Sequence, residues 1–180
     1  MKILAITGSL RTASINSALL RAVKRIAPPG IEVTLYHGLG ELPLFNPDIE
    51  SKQPEPVANL REQILASDAL LIASPEYAHG VTGALKNALD WMVGNETLVY
   101  KPVALLNASP RATHAQAALR DTVRTMSARL VDEASITVPV LGSGLSEDEI
   151  VQHQEIAPAL RAALLSLKTA VDSQQSEQDM

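Results

Sequence analysis

The sequence predicts a three-layer α/β/α fold around a five-stranded parallel sheet with strand order 2-1-3-4-5. Three observations carry this. Short apolar runs alternate with amphipathic stretches along the chain. Strand, helix and strand repeated in this way form right-handed crossovers, and these give a parallel sheet covered on both faces. The second apolar run is interrupted by Glu32 and Thr34, as an edge strand would be.

In chain order, strands are expected at Ile3–Ile6, Ile31–Tyr36, Ala69–Ala73 and Val103–Asn107, with a weaker fifth near Ser135–Val138. Helices are expected at Ser14–Ala27, Pro56–Ala66, Gly83–Met92, Thr113–Leu130 and Glu147–Val171. In the first helix Leu19, Leu20, Val23 and Ile26 share one stripe; in the fourth, Leu119, Val123, Met126 and Leu130 do. Glu41 to Pro56, with three prolines before its last residue, reads as a long ordered loop near the sheet's carboxyl edge. Residues 1–172 form one domain, and 173–180 a polar, frayed tail.

Composition narrows the function. With 180 residues and 46% hydrophobic content the chain fills a sizeable core. A net charge of −5 without basic runs argues against nucleic acid and anionic membranes as partners. No apolar run reaches the length of a membrane span, and the N-terminus reads as a core strand rather than a signal peptide. The absence of cysteine excludes disulfides, thiolate catalysis and cysteine-ligated metals, and is compatible with a cytoplasmic protein. The histidines His37, His79, His114 and His153 lack ligand spacing and read as surface or rim groups.

Ligands in such sheets bind beyond the carboxyl ends of the strands, at the switch point between the first and third. The first strand breaks there into Thr7, Gly8, Ser9, Arg11, Thr12, Ser14 and Asn16, just before a helix. Unpaired N–H groups at the helix start, the helix dipole, the hydroxyls and a fixed guanidinium together favour a phosphate. The loop lacks the second glycine and lysine of a Walker site, and it lacks two of the three glycines of a dinucleotide fingerprint. A terminal monophosphate suits it, as carried by FMN. Against this stands the plainer reading of Ser14 as an N-cap and Arg11 as a surface charge.

The third strand is followed by Ser74-Pro75-Glu76-Tyr77 and then by a helix carrying Gly83, Leu85, Lys86, Asn87, Ala88, Asp90 and Trp91. With Gly8-Ser9-Leu10-Arg11, Ser14, Asn16 and the leucine pair before it, this resembles the NADPH-dependent FMN reductase family. That family is flavodoxin-like and includes quinone, chromate and azo-dye reductases. The resemblance covers the first half of the chain closely and the second half loosely. It implies that Ser9, Arg11, Ser14, Asn16 and Ser17 bind the FMN phosphate. It also implies that Pro75, Glu76 and Tyr77 hold the isoalloxazine edge, with Glu76 contributing either its side chain or its backbone alone.

The family's third loop places a serine before paired glycines. Here it reads Asn107-Ala108-Ser109-Pro110-Arg111, so Ser109 fits and Pro110, which has no N–H, does not. Arg111 either brings positive charge to the flavin or NADPH, or stays on the surface. The implied activity is hydride transfer from NADPH (or NADH) through FMN to a small-molecule electron acceptor such as a quinone, with no catalytic residue needed for the first half. A homodimer or homotetramer is implied as well, leaving Trp91 either in the core or at a subunit seam. The competing readings are a non-enzymatic flavodoxin-type electron carrier and a flavin-binding sensor module. The mild balance of 15 basic and 20 acidic residues disfavours the carrier.

Overall fold

The computed structural model describes residues 1–178. In chain order the strands are β1 (Lys2–Thr7), β2 (Glu32–Leu35), β3 (Ala69–Ala73), β4 (Glu76–Tyr77), β5 (Gly80–Val81), β6 (Pro102–Leu106) and β7 (Arg129–Leu130). Five form a parallel sheet in the order β2-β1-β3-β6-β7, while β4 and β5 pair as an antiparallel hairpin. Counted within the sheet, this is the expected 2-1-3-4-5. β3 and β6 are buried along their whole length, as central strands between two helical layers must be, and β2 alternates as an edge.

The helices are α1 (Ile15–Ile26), α2 (Pro47–Glu50), α3 (Glu55–Leu65), α4 (Gly83–Val93), α5 (Thr113–Thr125), α6 (Glu147–Gln152) and α7 (Ile156–Gln178). Side chains alternate across the sheet, so it carries two cores. On one face Ile3, Ala5, Leu71 and Leu106 pack with Leu19 and Val23 of α1 and Leu160, Leu164 and Leu167 of α7. On the other, Leu4, Ile6, Leu70 and Leu105 pack with Leu60 of α3, Leu85 and Leu89 of α4 and Leu119 and Val123 of α5.

Four expectations need correction. The fifth strand forms at Arg129–Leu130, because α5 ends at Thr125 and Ser127 turns the chain with φ +59°. A short 3-10 turn at Asp132–Ala134 interrupts that strand, and the expected segment then rejoins the sheet by a single parallel bridge between Thr137 and Asn107. The helix expected over Glu147–Val171 is two helices, since Pro158 inside one continuous helix would clash with the preceding turn. His153 fills the break, its Nδ1 accepting the N–H groups of Glu155 and Ile156, both at 3.3 Å.

The long loop after Glu41 contains α2 and is pinned to α4. Trp91 Nε1 and Asn87 Nδ2 donate to Pro43 O, and Phe45 N–H donates to Asn87 Oδ1. Trp91 is fully buried and meets Phe45 edge to face at 5.2 Å, which makes it a core residue. Finally, α7 runs on to Gln178, so positions 173–178 of the expected tail are helical; 179–180 lie outside the described residues.

Candidate functional site

Three loops leave the carboxyl ends of β1, β3 and β6 side by side and enclose a cavity of about 330 Å³. That is the size of a small-molecule site.

The first loop is held close to the second at Gly8. Its N–H donates to Ala73 O at 2.8 Å, and its carbonyl accepts Thr82 Oγ1 at 2.6 Å. A Cβ at this position would stand 2.2 Å from Ser74 Oγ, so only glycine allows the approach. Beyond it, Ser9 N–H donates to Thr7 Oγ1 at 3.3 Å and Arg11 N–H to Ser9 Oγ at 3.3 Å. Ser14 caps α1, its side chain accepting Ser17 N–H at 3.4 Å. The N–H groups of Ile15 and Asn16, in the first turn of α1, have no partner among the described residues. Asn16 is 4% exposed and its Oδ1 is also unpartnered. A buried amide without a partner is costly, and here it lines the cavity, where a ligand would satisfy it.

The second loop is the β4–β5 hairpin. Its two tip residues, Ala78 and His79, take φ of +49° and +58° without being glycine or asparagine. The tip is docked on α5: Glu76 Oε2 accepts Ala115 N–H at 2.8 Å, and the His79 ring stacks on His114 at 4.3 Å with 13° between planes. α5 has no side-chain cap of its own at Ala112, so the Glu76 carboxylate serves the positive end of that helix from a distant loop. The two histidines read from the sequence as scattered are therefore neighbours.

The third loop is a tight turn with Pro110 at its second position, which favours proline. Ser109 N–H goes to Asn107 Oδ1 at 3.0 Å, Arg111 N–H to Ser109 Oγ at 3.2 Å and Ala112 N–H to Ser109 O at 3.1 Å.

Nine of the ten residues singled out from the sequence line this one cavity: Ser9, Arg11, Ser14, Asn16, Pro75, Glu76, Tyr77, Ser109 and Arg111. Ser17 does not. Its hydroxyl donates to Thr7 Oγ1 at 3.2 Å and it faces a neighbouring cavity beside Arg21 and Tyr36. Sequence reasoning missed Asn107 and Leu141. Asn107 binds the third loop from below. Leu141, 51% exposed, reaches the cavity from the segment after β7 and carries no motif that would have marked it. Arg11 and Arg111 enter no ion pair among the described residues. Away from the cavity, burial raises the Tyr36 phenol above its ordinary range, reinforced by Glu41 and Glu55. The hydrogen bond from Arg21, then that from Arg25, holds the Glu147 carboxyl below its ordinary value against its partial burial.

Residues 1–140 match the family described as NADPH-dependent FMN reductase. Over 112 residues, 61% of this chain and 60% of the relative, the chain is 44% identical to NAD(P)H-dependent FMN reductase PA1204 of Pseudomonas aeruginosa. It is 34% identical over 113 residues to a quinone reductase of Escherichia coli, again covering 61% of this chain and 60% of the relative. The chain thus spans about three fifths of the length of the curated relatives it matches. Among solved structures it is similar to the flavoenzyme NAD(P)H:(acceptor) oxidoreductase FerB of Paracoccus denitrificans. The TM-score is 0.85 at 28% identity, over 96% of this chain and 97% of that one. Among the described residues no helix is long and apolar enough to cross a membrane.

Proposed function

The chain belongs to the NADPH-dependent FMN reductase family, and from that premise we propose that it is an FMN-dependent NAD(P)H oxidoreductase reducing quinones or similar small acceptors. Chromate, azo compounds and free flavin are further acceptor candidates. The observation that carries the reading is the unsatisfied start of α1: the N–H groups of Ile15 and Asn16, the buried Asn16 amide and the Arg11 guanidinium converge on one cavity at the sheet's switch point. An FMN phosphate would accept from the two N–H groups and the guanidinium, while the buried Asn16 Oδ1 calls for a donor such as a ribityl hydroxyl of the same cofactor.

In this reading residues 1–172 are the functional domain. Ser9, Arg11, Ser14 and Asn16 hold the phosphate. Ser17 supports them through Thr7 rather than by contact. Pro75, Glu76 and Tyr77 border the ring, and Ser109 and Arg111 close the far wall. FMN held by these residues would supply the hydride and electron-transfer chemistry between nicotinamide and acceptor. The residues bind, orient and leave one side open: Tyr77, 58% exposed, stands at that mouth. The protein acts in the cytoplasm, as a homodimer or homotetramer; Leu10 and Leu44 are large apolar side chains left exposed for such contacts.

The test is the absorption spectrum of the purified protein, followed by NADPH under argon and then 1,4-benzoquinone. The reading expects a flavin spectrum that NADPH bleaches and the quinone restores over many turnovers. A flavin that NADPH leaves oxidised would favour the electron carrier or sensor, and a protein that holds no FMN would end the reading.

A further inference from the structure

The loops after β1 and β6 are built alike. Each strand flanks β3, and each is followed by a serine whose Oγ accepts the N–H of an arginine two residues on, at 3.3 Å for Arg11 and 3.2 Å for Arg111. Two arginines therefore line one cavity from loops whose strands lie two strand spacings, about 10 Å, apart. The FMN phosphate accounts for Arg11. Nothing in the binding of that phosphate requires Arg111.

The β6 loop also has few other donors to offer. The N–H groups of Ser109, Arg111 and Ala112 are all consumed within it, and Pro110 has none. Arg111 is its one charged side chain on the cavity, and the Ser109 hydroxyl keeps its own proton to donate. Glu76, the one acid lining the cavity, has Oε2 engaged by Ala115 N–H and pairs with neither arginine. Two largely exposed side chains, one aliphatic and one aromatic, line the same cavity. Leu141 is 51% exposed and Tyr77 58%. Leu141 also lies just past residue 140, where the match to the family ends.

We propose that Arg111, with Tyr77 and Leu141, forms an acceptor subsite that selects planar ring compounds bearing an anionic edge group, a carboxylate or an ionised hydroxyl, over uncharged ones. The proposal rests on the FMN-binding reading above. A guanidinium pairs with a carboxylate through two parallel hydrogen bonds, while the exposed Tyr77 and Leu141 side chains offer a slot for a flat ring.

The test uses equilibrium binding to the oxidised, FMN-loaded protein. 2-Naphthoate and its uncharged amide are titrated separately and followed by the change in flavin absorbance. 2-Naphthoate is expected to bind at least about tenfold more tightly than the amide. Arg111→Gln should abolish that preference by weakening naphthoate alone, Arg111→Lys should keep part of it, and Leu141→Ala should weaken both ligands alike. Equal affinity of the two ligands for the parent protein overturns the proposal, as does an Arg111→Gln loss shared by both. A loss confined to NADP⁺, titrated in the same way, would assign Arg111 to the dinucleotide and overturn it as well. Failure of the protein to load FMN would instead remove the reading on which the proposal stands.

Discussion

Replacing Gly8 by alanine tests whether the loops after β1 and β3 form one wall. The added Cβ would lie 2.2 Å from Ser74 Oγ, 2.7 Å from Ser74 Cβ and 3.2 Å from Ser74 Cα. Rotation of the hydroxyl relieves only the first clash. Reaching ordinary carbon contact with Cβ requires the two backbones to part by about 1 Å. Gly8 resists that movement, because its N–H is bound to Ala73 O and its carbonyl to Thr82 Oγ1. Overpacking of this kind costs about 1–3 kcal/mol, and a weakened hydrogen bond adds about 1 kcal/mol. Gly8→Ala should therefore unfold at lower urea concentration, with about 2–3 kcal/mol lost. It should also bind FMN at least about tenfold more weakly, since the displaced loop carries the phosphate groups. Ser74→Gly removes both clashing side-chain atoms and should restore most of the loss, whereas Ser74→Ala keeps Cβ and should restore little; the double variants are compared with the singles as a cycle. Unchanged stability and affinity in Gly8→Ala, or equal rescue by the two Ser74 variants, would refute the argument.

Three further outcomes are expected. Arg11→Ala removes a charge-assisted contact of about 1.5–3 kcal/mol, so FMN affinity should fall by one to two decades while apo stability holds; fluorescence titration and apo melting curves check this, and the opposite pattern would make Arg11 structural. Glu76→Gln weakens the charge at the start of α5 and should cost about 0.5–1 kcal/mol, with faster amide exchange at Ala115 and in the β4–β5 hairpin; unaltered exchange would count against the cap. For Glu147, the folded carboxyl titrates below its unfolded value because of Arg21 and then Arg25, so its stabilisation is present above the unfolded value and is lost as pH falls through the folded one. Glu147→Gln should thus cost about 0.5 kcal/mol at neutral pH, as for a screened surface pair, and nothing at strongly acid pH, which urea melts at the two pH values would show.

The sheet and the site were legible to different degrees. Strand order followed from continuous apolar runs in β3 and β6 and from Glu32 and Thr34 at the edge, which are local patterns. The Ser14 cap and the hydroxyl-rich loop were readable for the same reason. Pro158 was a readable signal for the break between α6 and α7. The end of α5 was not, because Ser127 takes a positive φ that no glycine announces. Nor was the hairpin, whose tip uses Ala78 and His79 where a two-residue turn favours glycine or asparagine. What holds that tip is long-range: Glu76 reaches Ala115 across 39 positions, and His79 meets His114. Leu141 was invisible because its role depends on where β7 returns the chain, and the start of that strand was itself misplaced.

A phosphate held at the start of α1 is tested most directly by comparing FMN with riboflavin for binding to the apo protein. The two flavins share every ring atom and differ at the phosphate that Arg11 and the N–H groups of Ile15 and Asn16 would bind. Dissociation constants measured by flavin fluorescence quenching should favour FMN by at least about two decades, the worth of one or two charge-assisted hydrogen bonds. Equal affinity for FMN and riboflavin would contradict the assignment.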